Sequence, residues 1–399
     1  MAYAFDSEDK MAGRKDLKFQ CRQLIKQAVQ NLVLPVCYRV SRFGAVDPKL
    51  VVFADAHHSE RPAAMELLYR KLKRDGGWKI VEHYLDYGTA SAAQVAKHSM
   101  RFMKLYARAG FVVICDNFLP AASCRKRGET RVIQLWHACG CYKKFGYDAK
   151  DDIPENYHGA NVYRNADLVT VSGDAAVKPF ASAMRLPESV VRPMGVSRTD
   201  LYRSMNWRRR CRERFCEMYP DAAGKKVVLW APTFRGNAGA PEKTDVDIAA
   251  LQEKLGGKYL VLTRLHPHMM REGAADEAAC AAACPIPTEE LYPVADVLIA
   301  DYSSLIYEYL LFGKPAVLYC PDLDQYRAGR GFYMDIAEIP AEIVTQGGMD
   351  VLADAVERAR TDEDRLKGFL DRYMSACDGM ATERIAQWMK ENVRGGTGV

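Results

Sequence analysis

The chain has 399 residues, enough for about two to three domains at roughly 150 residues each. Hydrophobic residues make up 49% and charged residues 27%, which excludes disordered and collagen-like classes and supplies apolar material for two cores. Lys and Arg number 56 against 51 Asp and Glu, a net +5 too small and too dispersed for a nucleic-acid binder. It suits acidic small molecules or an anionic membrane surface.

No stretch reaches the eighteen or so apolar residues that a spanning helix needs. Met1 to Lys10 lacks a basic segment followed by an apolar one, so no secretory signal is expected. The twelve cysteines are scattered without a CxxC pair, and Cys139 and Cys141 flank a glycine at a spacing that matches no common zinc site. Reduced thiols in the cytosol, mostly small buried hydrophobes, fit this usage. No metal and no cofactor are expected.

From Asp16 to Leu34 apolar residues recur every three or four positions, with Lys18, Arg22 and Lys26 on the other side. This predicts a helix packed on its own domain, with a basic-faced peripheral membrane helix as the alternative. Pro35 should end or kink it. Strands are predicted at 50–54, 78–84, 111–115, 131–136 and 168–172, with helices at 61–74, 91–108 and from 173 to about 184. The charge run 203–220, containing Arg208-Arg-Arg210, reads as a solvated helix face near a domain junction. After Gly224 strands are predicted at 226–231, 259–265, 296–301 and 315–319. Helices are predicted at 245–255, 304–311, 347–360 and from 363 onward. This alternation predicts two α/β domains, 1–210 and 211–399, each with a parallel doubly wound sheet, facing a cleft.

Ligands of open parallel sheets bind beyond the carboxyl ends of strands, which directs attention to four places. Asp301-Tyr-Ser-Ser304 ends a strand and opens a helix, so Ser303 or Ser304 can cap it and the exposed N–H groups can hold an anion beside Glu308. The bland reading is an ordinary cap with an exposed glutamate. Arg264-Leu-His-Pro267 offers a fixed cation and a titratable donor, although a histidine after a strand is often structural and His268 lies close by. In Ala231-Pro-Thr-Phe-Arg235, Thr233 offers a hydroxyl and Arg235 a bidentate phosphate donor; alternatively this is a surface turn. In the first half, His137 closes a strand before a glycine-containing turn and is a candidate general base. Lys143 and Lys144 could bind an acidic acceptor, and a thiol nucleophile at Cys139 or Cys141 ranks below the base. Together these fit transfer from a nucleotide-activated donor across a cleft.

Several segments then resemble one family in order. Gln134-Leu-Trp-His137 with Lys143-Lys-Phe-Gly-Tyr-Asp148 resembles the QxWHGTPLKxxGxD segment of the CDP-glycerol glycerophosphotransferases that build teichoic acids. Leu229 to Arg235, Leu262 to Pro267, Ala295 to Ser304, Gly313-Lys-Pro315, Asp322 to Arg327 and Arg330-Gly-Phe-Tyr333 resemble further segments of it, as do Asp378-Gly379 and Arg384-Ile385. One departure is His137-Ala-Cys-Gly-Cys-Tyr-Lys143, where the family most often reads HGTPLK. It bears on acceptor identity more than on reaction type.

The resemblance implies a GT-B-like fold of two Rossmann-like domains facing a central cleft. It implies a CDP-glycerol or related CDP-polyol donor held mainly by the C-terminal domain, a lipid-linked glycan or teichoic-acid-like acceptor, and CMP as product. His137 would be the base, with His266 and Arg264 by the donor pyrophosphate. Thr233, Arg235, Ser303 and Ser304 would hold phosphates, Asp301 would shape that loop, and Glu308 would lie near a donor hydroxyl. A soluble chain would meet such an acceptor at the inner face of the cell membrane, held there peripherally. A CDP-ribitol-dependent ribitol phosphate transferase, a nucleotide-sugar glycosyltransferase, and a non-catalytic scaffold subunit are the alternatives.

Overall fold

The computed structural model describes residues 27–149, 152–153, 160–233, 235–237, 240–242, 247–264 and 283–393. Of the first predicted helix only the end is therefore described. Pro35 does not stop it. A π turn at Val29–Val33 runs into an α-helix at Leu34–Val40, so the helix carries on through Pro35, with the wider turn placed where the proline has no N–H to give.

Six strands form the first sheet: β1 Asp47–Asp55, β2 Lys79–Tyr84, β3 Ala109–Ile114, β4 Arg131–Gln134, β5 Leu168–Thr170 and β6 Val191–Arg192. They are all parallel, in the order β2-β1-β3-β4-β5-β6. Central strands of such a sheet are covered on both faces, so β3 is buried at all six positions and β1 at its last five. Val51, Phe53, Phe111, Val113 and Ile133 face one layer, Val52, Val112 and Val132 the other. Each such side chain contributes about 1.5–3 kcal/mol by leaving water.

The second sheet contains β7 Lys226–Trp230, β10 Tyr259–Thr263, β11 Val297–Ala300, β12 Ala316–Tyr319 and β13 Glu342–Val344, with a separate antiparallel pair β8 Arg235–Asn237 and β9 Ala240–Glu242. Its order is β10-β7-β11-β12-β13, again parallel. Numbered along the chain, both sheets begin 2-1-3-4-5. The chain reverses direction across each sheet between its first and third strands, at β1/β3 and β7/β11, and such reversals open crevices at the strand carboxyl ends.

Two connections differ from the pattern read along the chain. Residues 205–218 form one helix whose Trp207, Cys211 and Phe215 are buried, while Arg212 and Arg214 bond Pro293 and Glu290 of the second half. The passage between halves thus precedes this helix. The predicted helix from residue 363 to the C-terminus is two, Glu363–Tyr373 and Ala381–Glu391. The latter returns to the first half, burying Ile385, Ala386, Trp388 and Met389 against the β1 side of the first sheet. Its first N–H groups, of Ala381 and Thr382, donate to the Asp200 carboxylate.

His83 and His98 stack in the first half with ring centroids 3.6 Å apart. Burial pushes both imidazoles down to about 4, helped at His98 by its neighbour. The unfolded chain therefore binds protons between about pH 6.5 and 4 that the folded chain refuses. Stability from this pair is complete above that window and is lost as pH falls through it, by up to about 3 kcal/mol for buried His83 and less for partly exposed His98. Urea unfolding at pH 7 and pH 4.5 should show the drop; equal midpoints would contradict it.

Candidate active site

At the β1/β3 reversal, Asp55 closes β1 and Asp116 follows β3. Asp55 is buried and accepts the backbone N–H groups of His57 and His58, at 2.7 and 2.8 Å, and pairs with His58 Nδ1 at 2.9 Å. Burial works to raise the Asp55 carboxyl, but these partners hold it below its ordinary value. Asp116 lies between two half-exposed imidazoles, with His137 Nδ1 at 3.2 Å from Oδ2 and His57 Nε2 at 4.0 Å from Oδ1. Burial pushes the Asp116 carboxyl up, yet His137 above all holds it at about 2.

His137 is carried by the turn that ends β4. Its neighbour Trp136 has φ of +58°, a left-handed conformation that costs a bulky residue about 1–3 kcal/mol and persists only where the surroundings impose it. They do so here. Gln134 accepts the Trp136 N–H at 3.2 Å and donates to the Asp116 carbonyl at 2.9 Å, tying the ends of β3 and β4 together. The Trp136 ring stacks on the His137 imidazole with centroids 4.7 Å apart and rests on Phe145 and Phe180.

The turn continues through Cys139 and Cys141. Burial pushes the Cys141 thiol up to about 12 and that of Cys139 well above its ordinary value, so neither is a thiolate nucleophile at neutral pH. Gly140 has φ of +69°, and a Cβ there would run into the Tyr307 ring. Ser172 accepts the Gly140 N–H and donates to the Tyr373 carbonyl, joining the turn to the second half. Next, Tyr142 to Lys144 pair with Arg330 to Tyr333. Lys143 and Phe332 form an antiparallel bridge, Lys144 N–H donates to Gly331, and Arg330 Nε donates to the Lys144 carbonyl. Tyr333 Oη donates to Asp148 at 2.6 Å. Two segments that looked like separate motifs thus form one bridge between the halves.

At the β7/β11 reversal, Asp301 accepts the Thr233 N–H at 3.0 and 3.1 Å and the Thr233 hydroxyl at 2.6 Å. It also accepts the Tyr302 N–H at 2.6 Å. The following helix, Leu305–Leu310, is short; Ser303 Oγ accepts the Leu305 N–H at 3.4 Å, and Ser304 makes no capping bond. Ser304 instead lines a cavity of about 300 Å³ together with Asp116, His137, Lys143, Asp152 and Arg330. Lys144 packs against Gly331.

Arg264 donates to the Cys284 carbonyl at 2.7 Å and to Thr288 at 3.3 Å. Glu308 is 2% exposed, and its two oxygens are taken by the Arg198 guanidinium and by Tyr202 Oη. A donor hydroxyl reaching Glu308 would have to displace one of them. His266 and the Arg235 side chain lie outside the described residues. Lys314 of Gly313-Lys-Pro315 is structural, its ammonium donating to the carbonyls of Tyr292, Pro293 and Ala295. Among the described residues no group of three or more His, Cys, Asp or Glu is placed to hold a metal.

Sequence reasoning missed Asp116, His57 and Arg330 as site residues. Asp116 directly follows the predicted strand 111–115, so the strand-end rule was the signal that could have found it; nothing in the spacing placed Arg330 beside His137.

Two parallel sheets that begin in the same strand order, joined around a cavity at the carboxyl ends of strands from both, define a GT-B-like fold. The chain belongs to the CDP-glycerol:poly(glycerophosphate) glycerophosphotransferase family, which it matches over residues 36–391, and is an enzyme of that class. It is 31% identical over 357 residues to the teichoic acid ribitol-phosphate primase of Bacillus spizizenii, covering 87% of this chain and 92% of that one. It is 28% identical to the same organism's teichoic acid poly(ribitol-phosphate) polymerase, of which it spans only 57%. Among solved structures, the wall teichoic acid polymerase TagF superposes with a TM-score of 0.70 at 20% identity, covering 94% of this chain and 97% of that one, a likeness of fold.

Proposed function

We propose that this enzyme transfers a polyol phosphate from a CDP-polyol to a hydroxyl of an acceptor, releasing CMP. The observation that carries this reading is the cavity in which His137 from the first half meets Ser304 and Arg330 from the second. In the reaction the acceptor oxygen attacks the β-phosphorus in line. Its proton passes to His137, the new O–P bond forms, and the bond to the CMP oxygen breaks with its electron pair. Such transfer depends mainly on positioning and charge stabilisation. Arg330, Arg264, Arg235 and His266 are the candidate stabilising groups on the donor side, with Ser303, Ser304 and Thr233 as hydroxyl partners and Lys143 and Lys144 toward an anionic acceptor.

The family name speaks for glycerol and the 31% identical primase for ribitol. A screen of CDP-glycerol, CDP-ribitol and UDP-sugars, read as released nucleotide with phosphorylated polyol acceptors, decides between them. Turnover with a CDP-polyol alone is the expected result, and turnover with a UDP-sugar alone would replace this reading with glycosyl transfer. With the working donor, His266→Ala is expected to lose CMP release while remaining folded; near-normal turnover would remove His266 from the reaction.

For location, we place the enzyme at the cytoplasmic membrane face, bound peripherally to reach a lipid-linked acceptor. No helix of the described residues is long and apolar enough to cross a membrane. The support is a surface on the first described helix and the turn after it. Leu32, Val33, Val36, Val40 and Phe43 are exposed there, Phe43 at 84%, with Arg39 and Arg42 alongside. Apolar contact plus basic charge gives reversible binding to anionic lipid. Vesicles containing phosphatidylglycerol should sediment the protein in a salt-sensitive way, and Leu32→Ser/Phe43→Ser should weaken this; no binding at low salt would end the idea.

A further inference from the structure

We propose that Asp116 is the positioning residue for His137, fixing the imidazole in the tautomer that carries its proton on Nδ1 and leaves Nε2 free to act in the cavity. This rests on the reading of His137 as the base. Four features of the structure meet at this ring. The Asp116 carboxylate stands 3.2 Å from Nδ1. The Cys115 carbonyl, at 3.4 Å from the same nitrogen, can only accept, so both neighbours of Nδ1 call for a proton there. Nε2 has no protein partner among the described residues, and the ring lines the cavity. The Trp136 face holds the ring plane, and Gln134 locks the strained Trp136 turn to the loop that bears Asp116.

The arrangement also explains why Asp116 is an acceptor and not a second base. Its carboxyl is held at about 2, so it stays ionised throughout the working range and takes no proton from the substrate. As the acceptor hydroxyl loses its proton to Nε2, the ring gains a positive charge, and the fixed carboxylate stabilises that charge without moving. The other carboxylate oxygen accepts the Asn117 N–H at 2.7 Å, which keeps Oδ2 turned toward His137, with the His57 imidazole 4.0 Å away. An aspartate in this position serves orientation, and its loss should act on kcat and not on donor binding.

Two measurements on the full-length protein test this. In ¹⁵N-histidine-labelled enzyme, the His137 signal, assigned by its absence in His137→Ala, should report the Nδ1–H tautomer at pH 8. Asp116→Asn, whose amide can donate to Nδ1, should convert it to the Nε2–H form, and Asp116→Ala should give a mixture. An unchanged tautomer in both variants overturns the proposal, even if the donor screen finds no turnover at all. With the CDP-polyol that does turn over, Asp116→Asn should lower kcat by at least about 100-fold with the donor KM changed by less than about threefold. Retention of kcat within about threefold, or a loss confined to KM, would also overturn it.

Discussion

His137→Ala is expected to lower CMP release by about 10²–10⁴-fold, the usual contribution of a positioned general base. The imidazole is 47% exposed at the mouth of a 300 Å³ cavity, so its removal takes away little packing and the fold should survive. What remains is the Trp136 turn, still tied to β3 by Gln134, and an Asp116 carboxylate without its partner. Thermal unfolding should therefore match the parent within a few degrees while turnover is lost. Substrate binding should persist, because among the described residues the polar partners of this ring are Asp116 and the Cys115 carbonyl, both of the first half. A purified variant with turnover within tenfold of the parent would show that the acceptor hydroxyl is deprotonated elsewhere.

Arg198→Met is expected to destabilise the protein by about 3–5 kcal/mol, the cost of leaving a buried carboxylate without its counter-ion. Glu308 belongs to the second half, whereas Arg198 and Tyr202 lie on the 3₁₀ segment Ser197–Arg203 that connects the halves. The pair is thus a buried ionic lock between the connection and the helix beside the cavity. Arg198→Met/Glu308→Leu should recover much of the loss, since apolar residues of similar volume need no counter-charge. Urea midpoints of the two single variants and the double variant measure the coupling. A loss below about 1 kcal/mol in Arg198→Met would mean that Tyr202 alone satisfies Glu308.

The strands most easily read along the chain were those buried on both faces. Leu50 to Ala54, Phe111 to Cys115 and Val297 to Ala300 are continuous apolar runs because helices cover both sides of a parallel sheet. β6, with two residues, and β13, with three, carry no such run and were not legible. The helix Leu323–Gly329 was missed because it buries none of its residues and so shows no apolar stripe. The final helix was legible as a helix, but the sheet it covers was not. Its apolar stripe would suit either half.

At the site, His137, Ser304 and Lys143 were visible as residues after strands or within motifs, and the cavity brings them together. Glu308 was read as a solvent-facing or donor-facing carboxylate because spacing shows only its own helix, and Arg198 is 110 residues away in sequence. The same limit applies to Asp148 and Tyr333, 185 residues apart, whose hydrogen bond helps join the two motif segments. Asp116 carried only a strand-end position until β3 and β4 were seen side by side.

The modest charge excess and the length of the chain were enough to turn attention toward anionic small molecules and more than one domain. Local periodicity and motif order then determined the alternation of elements and the family and singled out His137 as the candidate base, because these depend on residues within a few positions of one another. Only the tertiary structure decided which carboxylate meets which partner. The partners of His137, Glu308 and Asp148 are chosen by how sheets and connections pack, and that choice leaves no periodic trace in the chain.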